Sequence, residues 1–342
     1  MKKAKKQVTI KDVAAEAGVS YQTVSRVINN SHSVTDETRL KVLDVIEELN
    51  FRPSLAARNL SSQRTNIIGL IIPYSADYLI RDPHLLAQIS GIDAEINAND
   101  YNLLLSTAGN FEDGIKAYNR FLTQKVADGA IVVETADSTA GNDLLAKQDD
   151  PYVVIGYDIF NQKGYMVHSD DHQGAKEATL HLIEQGHQRI GVINGPETGA
   201  IRSSEERLLG YKIALESVDI PFESELVVRG DYTRPSGQRV TEQLLSLDTP
   251  PTAIFALNDR MAIGAIQTIQ NHGLTVPQDI AVIGFDDIPA ATDFTPSLTT
   301  VRQPSRELGK TAAELLLKLI AGKSVVNHEI VLSAELIIRQ SS

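Results

Sequence analysis

The sequence predicts an α/β protein: two doubly wound parallel sheets forming a two-lobed body, behind an N-terminal all-α helix-turn-helix head. Three observations predict it. After Asn66, apolar runs of strand length alternate with amphipathic helical segments through most of the chain, the pattern of parallel sheets covered on both faces. Before Asn66 the apolar period is helical only. The charge divides at the same place. Residues 1–64 carry 11 Lys+Arg against 7 Asp+Glu, or +4, and of the chain's 32 basic and 44 acidic residues the remaining 21 and 37 leave −16 for 65–342. A basic head on an acidic body points to a head that meets a polyanion.

In the head, Thr9 is placed to cap a first helix with Ile10, Val13, Ala14 and Ala17 at helical spacing, stopped by Gly18. Ser20 caps a second helix that buries Val24, Val27 and Ile28. Thr35 begins a third, TDETRLKVLDVIEELN, with Leu40, Leu43, Ile46 and Leu49 expected inward. Only Val19 and Ser20 follow Gly18 before Tyr21, too tight a turn for two antiparallel helices and the signature of a helix-turn-helix.

In the body, the strand runs are NIIGLII, NLLLS, GAIVV, YVVIG, RIGVIN, LVVRG, AIFAL and IAVIGF, with helices near 82–99, 111–125, 172–186, 203–218, 234–247 and 259–272. These are too many βα units for one ordinary sheet, so two lobes are expected. Ligands of such sheets sit beyond the carboxyl ends of the strands, and two lobes facing each other there make a cleft.

At 342 residues the chain is long enough for two or three domains, and 42% hydrophobic with 22% charged residues is globular composition. No run approaches the ~18 apolar residues of a membrane span. The basic start MKKAKKQVTIKDV lacks the apolar core of a signal peptide, so a cytoplasmic location is expected. Zero cysteines exclude disulfides and thiolate chemistry. His168 and His172 are four apart, but the residues between them read as a loop and no Glu or Cys completes a ligand set, so no metal and no cofactor are expected. No phosphate loop, GxSxG elbow or GxGxxG fingerprint occurs. The chain is read as a non-enzyme. An exported solute-binding protein of the same two-lobed shape would show a signal and no helix-turn-helix, the reverse of what is present.

TIKDVAAEAGVSYQTVSRVINN, FRPSLAARNL, EQGHQRIGVINGP, ALNDRMAIGA, VIGFDD and SLTTVRQP occur in that order over almost the whole chain. In this the sequence resembles the lactose-repressor/galactose-repressor family of bacterial transcription regulators. The resemblance implies a helix-turn-helix DNA-binding domain over 1–52 and a hinge helix or linker over 53–64. Over 65–342 it implies a periplasmic-binding-protein-like, effector-binding and dimerisation body. The first lobe is expected at about 65–165 and 301–325, the second at about 166–300 and 326–342.

A recognition helix enters the major groove with its N-terminal residues toward base edges. Tyr21 and Gln22 occupy that end, and Gln can pair bidentately with adenine or donate to guanine. Arg26, one turn on, can fork onto the O6 and N7 of guanine. Ser20, Thr23, Ser25, Asn29 and Asn30 suit phosphates, and Thr9 is counted with them. YQTVSRV is similar to the recognition helix of the family's lactose-responsive branch, which implies base contacts at Tyr21, Gln22 and Arg26. For the hinge, the resemblance implies that Leu60 wedges into the minor groove with Ala57 beside it and Arg58 toward phosphate.

The resemblance also implies effector contacts at Arg207, Asn258 and Asp286. The last two follow strand runs, where the open-sheet rule puts ligands. Asp286 could accept from neighbouring hydroxyls, Asn258 donate and accept, and Arg207 donate. Asp259 and Asp287 are read as braces. With no Trp, a sugar ring would stack on Tyr or Phe; candidates are Tyr74, Tyr78, Tyr157, Phe160, Phe255 and Phe285. PYSADYLIRDPH supplies Asp77 and Asp82 as further acceptors, and it departs from the lactose-responsive pattern, as does Gly156. The expected partners are a near-palindromic operator duplex, a second copy of the chain, and a small effector. A saccharide is the leading effector, with a purine, a phosphorylated metabolite or a protein co-regulator as alternatives. No leucine heptads follow Arg339, so a dimer is expected rather than a tetramer on a C-terminal coil.

Overall fold

The computed structural model describes residues 8–28, 33–51, 64–107, 111–134, 150–157, 164–196 and 201–342, in two compact units, Met1–Thr65 and Asn66–Ser342. In the first unit, α1 (Ile10–Ala17), α2 (Tyr21–Ile28) and α3 (Asp36–Glu48) enclose a small core of Val13, Ala14, Ala17, Val24, Val27, Val42 and Val45. The Asp12 carboxylate accepts from Thr9 N at 2.8 Å and Thr9 Oγ1 at 2.7 Å, closing the start of α1. Gly18 ends it at φ 64°, a conformation glycine adopts without steric cost. Ser20 Oγ accepts from Thr23 N at 3.1 Å and starts α2. The turn is therefore three residues long.

The expected inward face of α3 is corrected. Leu40 and Leu43 are 62% and 45% exposed, while Val42 and Val45 are buried with Ile46 and Leu49 beside them. Val42, Val45, Ile46 and Leu49 stand at i, i+3, i+4 and i+7, an unbroken helical stripe; the leucines lie off it.

The second unit holds two six-stranded sheets. The first is ordered β11-β5-β4-β3-β1-β2, from β1 (Ile67–Ile72), β2 (Asn102–Thr107), β3 (Gly129–Val133), β4 (Tyr152–Ile155), β5 (Tyr165–Ser169) and β11 (Glu329–Leu332). The second is ordered β12-β10-β9-β8-β6-β7, from β6 (Ile190–Asn194), β7 (Val227–Arg229), β8 (Ala253–Ala256), β9 (Ala281–Asp286), β10 (Thr299–Arg302) and β12 (Glu335–Ile337). All neighbours are parallel except β10 and β12. The helices that matter below are α4 (Ala76–Ile80), α5 (Pro83–Ala98), α6 (Phe111–Tyr118), α7 (Asp171–Glu184), α8 (Arg202–Glu216), α9 (Arg234–Leu245), α10 (Asp259–Asn271), α11 (Pro289–Asp293) and α12 (Ser305–Ile320).

All eight strand runs read from the sequence form strands; six are apolar runs buried within their sheets, while the edge strands β2 and β7 are half-buried to exposed. β5, β10, β11 and β12 do not stand out as such runs. Their pairing moves the lobe boundaries: the chain crosses between sheets near Asp170, Gln303 and Ser333, rather than near 166, 301 and 326. Strand order reverses between β1 and β3 in one sheet and between β6 and β8 in the other. Those two switch points open toward the cleft.

Candidate functional site

Between the lobes lies a cavity of about 100 Å³. The five expected effector residues, Tyr74, Asp82, Arg207, Asn258 and Asp286, all line it. Tyr74 follows β1, Asn258 follows β8 and Asp286 ends β9, so the open-sheet rule places them in both lobes. Asp82 caps α5, its Oδ1 accepting from His84 N at 3.0 Å and Leu85 N at 3.2 Å. Asn258 caps α10: Oδ1 accepts from Met261 N at 2.9 Å and Nδ2 donates to Tyr232 O at 3.0 Å. One amide hydrogen and one lone pair remain for a ligand.

Arg207 is the cation of the cavity. Its Nε donates to Asp171 at 2.7 Å and Nη1 to Leu257 O at 2.6 Å, and the guanidinium lies 3.9 Å from the Phe285 ring centroid. Asp286 Oδ1 is 4.0 Å from Nη1 and accepts from Gln303 Nε2 at 2.6 Å. Removing one partner of a buried pair such as Arg207–Asp171 costs ~3–5 kcal/mol, so Arg207 holds the lobe together as well as facing the cavity. Asp286 and Asp287 stand at φ 125° and 58°, and Tyr232 at 64°, strained conformations that cluster at the site.

Among the described residues, contacts that clamp the lobes over the cavity include the Arg202 guanidinium over the Tyr157 ring at 5.7 Å and two polar links. Asp82 Oδ2 accepts from Arg260 Nη1 at 3.1 Å, and Arg260 also lies over the Tyr78 ring at 4.9 Å. Glu134, directly after β3, accepts from Ser203 N at 3.1 Å and from Ser203 Oγ at the start of α8. Gly156, φ 105°, gives Glu134 its room: a Cβ there would meet Glu134 Cβ at 2.4 Å.

Burial pushes the Glu134 carboxyl up to about 7, against hydrogen bonds from Ser203 that pull it down. Burial raises Asp286 to about 7 and Asp259 to about 8. A carboxyl raised on folding binds its proton more tightly in the folded state, so folding is favoured below the unfolded pKa and that advantage is lost as pH rises toward the folded one. The melting temperature is therefore expected to fall between about pH 5 and pH 8, and Glu134→Gln to flatten the slope. Melting curves across that range decide it; a stability that rises with pH contradicts it.

Several residues of the site escaped the sequence reading. Glu134 was marked by its place straight after the run GAIVV. Asp171, read as loop, opens α7 and is 2% exposed. His84, Gln88, Ser203, Tyr232 and Gln303 also line the cavity. Tyr78 lines it with Tyr74, the rings stacked at 4.8 Å. Other candidates lie elsewhere. Asp77 points to the surface and pairs with Arg81 at 2.9 Å, and Phe255 is fully buried in the second lobe. Tyr157 stacks on His168 at 4.2 Å. His168 lies within β5 and lines the cavity, bonded to Glu329 Oε1 at 2.8 Å; of the residues read as a loop after it, Ser169 still belongs to β5 and Asp171 to α7. Asp259 and Asp287 are braces: Asp259 Oδ2 accepts from Ile288 N at 2.8 Å, and Asp287 receives Arg302 at 2.7 Å and Arg339 at 2.6 Å. Phe160 lies outside the described residues.

In the first unit, Tyr21, Gln22 and Arg26 are exposed on one side of α2, opposite Val24 and Val27. Thr9 and Ser20 are exposed at the starts of α1 and α2, and Thr23 and Ser25 are half-buried. The Ser20 and Thr23 hydroxyls are 2.9 Å apart. Asn29, Asn30, Ala57, Arg58 and Leu60, and with them the expected hinge, lie outside the described residues. Among the described residues no helix is long and apolar enough to cross a membrane, and no group of three or more His, Asp or Glu could hold a metal ion.

A helix-turn-helix unit followed by two doubly wound lobes around a polar cavity defines a DNA-binding regulator governed by a small molecule. Comparison with known proteins gives the family. Residues 9–54 match the profile of bacterial regulatory proteins, lacI family, and residues 179–342 that of the periplasmic binding protein-like domain. The chain is 37% identical to the probable HTH-type transcriptional repressor ExuR of Bacillus subtilis, over 98% of each chain. It is 36% identical to the HTH-type transcriptional repressor PurR of Photobacterium profundum, over 97% of this chain and 98% of that one. Among solved structures it resembles the lac repressor dimer bound to operator and the anti-inducer ONPF, with 30% identity, TM-score 0.86, and coverage of 98% and 99%. It also resembles the CelR–cellobiose complex, with 30% identity, TM-score 0.76, and coverage of 98% and 100%. The chain belongs to the lacI family of bacterial regulatory proteins: it is a transcriptional regulator.

Proposed function

We propose that the protein is a homodimeric, non-enzymatic repressor acting in the cytoplasm, whose affinity for a near-palindromic operator is set by a saccharide in the interlobe cavity. The observation that carries the reading is the cavity itself: hydroxyl-bonding groups from both lobes, Asp82, Glu134, Arg207, Asn258 and Asp286, meet around one small space beside the stacked Tyr74 and Tyr78. Such a site favours one relative arrangement of the lobes when filled, because its ligand bonds to both. Solved relatives support the class of ligand: one is a cellobiose complex and another, from Enterococcus faecium, holds ribose. Dimer and operator are supported by the lac repressor structure.

Tyr21, Gln22 and Arg26 read bases, and Thr9, Ser20, Thr23, Ser25, Asn29 and Asn30 hold phosphates. Ala57, Arg58 and Leu60 engage the minor groove as a hinge over 53–64. A thermal-shift panel of neutral saccharides and purine bases tests the effector class. At ~100 times its dissociation constant a ligand adds ~2.7 kcal/mol of stability, several degrees of melting temperature. A shift with a saccharide supports the proposal; shifts with purine bases alone overturn it.

A further inference from the structure

The wall that the first lobe gives to the cavity is polar where α5 would otherwise be apolar. His84 and Gln88 stand one turn apart on α5 and both line the cavity. His84 Nδ1 is 2.8 Å from Ser305 Oγ, and Nε2 is 2.8 Å from Gln88 Nε2. An amide nitrogen only donates, so Nε2 of the ring accepts and Nδ1–H donates to Ser305. The imidazole is thereby held neutral, and burial lowers its pKa in the same sense.

This arrangement leaves Gln88 Oε1 enclosed with no hydrogen-bond partner, on a residue only 4% exposed. An unmet buried acceptor is costly, and the backbone cannot move to relieve it. A Cβ on Gly91 would meet Arg306 O at 2.0 Å, and one on Gly309 would meet Gln88 O at 2.0 Å, so α5 and α12 are locked in backbone contact. The amide itself can still turn, because its terminal torsion is soft. Gln88 lines the cavity, so turning the amide is the motion left to meet a ligand there.

The charges of the lining point the same way. Four carboxyls, Asp82, Glu134, Asp171 and Asp286, line the cavity against two guanidiniums already engaged: Arg207 serves Asp171 and a carbonyl, and Arg260 pairs with Asp82. The helix starts near the cavity are already taken by the protein's own side chains: Asp82 caps α5, Asp170 caps α7, Glu134 accepts at the start of α8 and the Asn258 amide caps α10. The positive ends that would bind a phosphate or carboxylate are thus already occupied.

Resting on the reading of the cavity as the effector site, we propose that His84 and Gln88 form a specificity subsite for an uncharged hydroxyl of the effector, so that the protein takes neutral saccharides and rejects their phosphorylated and uronate counterparts. A hydroxyl both donates and accepts, and so satisfies the free end of the amide in either orientation. A phosphate or carboxylate oxygen at neutral pH accepts only, and adds a negative charge to an acidic wall.

Calorimetric titration of the full-length protein tests this. The probes are D-glucose, D-galactose, D-ribose and cellobiose, beside glucose 6-phosphate, D-glucuronate and D-galacturonate. A neutral sugar is expected to bind, and its charged counterpart to bind about 100-fold more weakly or not at all. Gln88→Leu should weaken the bound sugar by about 10-fold; it removes the unmet acceptor but also takes the donor from His84 Nε2, so the melting temperature is expected to change little, and Gln88→Met replaces it if that variant does not fold. One monodeoxy form of the sugar should bind wild type and Gln88→Leu equally. Unchanged affinity in Gln88→Leu, with binding lost in Asp286→Asn, overturns the subsite and leaves the cavity reading standing. Tighter binding of a phosphate or uronate overturns the charge selectivity. If no sugar binds, or neither variant alters binding, the cavity reading falls and the subsite with it.

Discussion

Asp286→Asn is expected to leave operator binding intact and to abolish its response to the sugar. Asp286 ends β9 beside the cavity, and Gln303 Nε2 donates to it at 2.6 Å. Gln303 Oε1 in turn accepts from Ser169 Oγ at 2.7 Å. Ser169 precedes the first crossing between the lobes and Gln303 sits at the second. A ligand on Asp286 therefore touches the strands about which the lobes turn. Asparagine keeps the size of the side chain but loses an acceptor that is charged above about pH 7; hydrogen bonds to charged groups contribute ~1.5–3 kcal/mol, so at about pH 8 sugar affinity should fall by roughly 10- to 150-fold. It is a better test than alanine, which packs nothing into the space and shares the strain of φ 125°. Calorimetry gives the sugar affinity and fluorescence anisotropy the operator affinity. An unchanged response in the variant sinks the assignment of Asp286.

Arg26→Ala is expected to erase sequence discrimination while leaving sugar binding as it was. Arg26 is exposed on the same side of α2 as Tyr21 and Gln22, while Val24 and Val27 anchor the helix on the small core. The side chain makes no part of that core, so its loss leaves the unit folded. A bidentate arginine on guanine contributes ~1–3 kcal/mol of discrimination, so affinity for a selected operator should fall by roughly 5- to 150-fold. Affinity for scrambled duplex should change little, because base-edge contacts supply the discrimination. Selection from a random duplex library supplies the operator, and titrations on selected and scrambled sequences make the comparison. Equal losses on both would count against base reading by Arg26.

Much of this was legible in the sequence because burial and strand runs coincide in an open α/β fold. IIGLII, GAIVV and AVIGF are apolar throughout since both faces of their sheets are covered. β10 begins on two threonines and β11 on a glutamate, so neither reads as a core strand; they become strands by pairing with β9 and β5. The lobe crossings depend on the same pairing, and a crossing leaves no local mark in the sequence. Tyr74, Asp82, Arg207, Asn258 and Asp286 were legible as residues at strand ends or in matching motifs, and the fold brings them to one cavity. Gln88 was not. A glutamine on the buried side of a helix looks like a surface residue until α12 is laid against it. In α3, Leu40 and Leu43 lie outside the stripe that Val42 and Val45 fill, and the size of an apolar residue does not tell the phase of a helix.

The central claim is that one molecule couples the cavity to the operator. Anisotropy titration of the wild-type protein on its selected operator, with and without saturating neutral sugar, measures that coupling directly. A change of ~5- to 150-fold in operator affinity is the expected size for such a linkage, with the same factor recovered when sugar affinity is measured on free and operator-bound protein. An operator affinity that does not move when the cavity is filled would contradict the account.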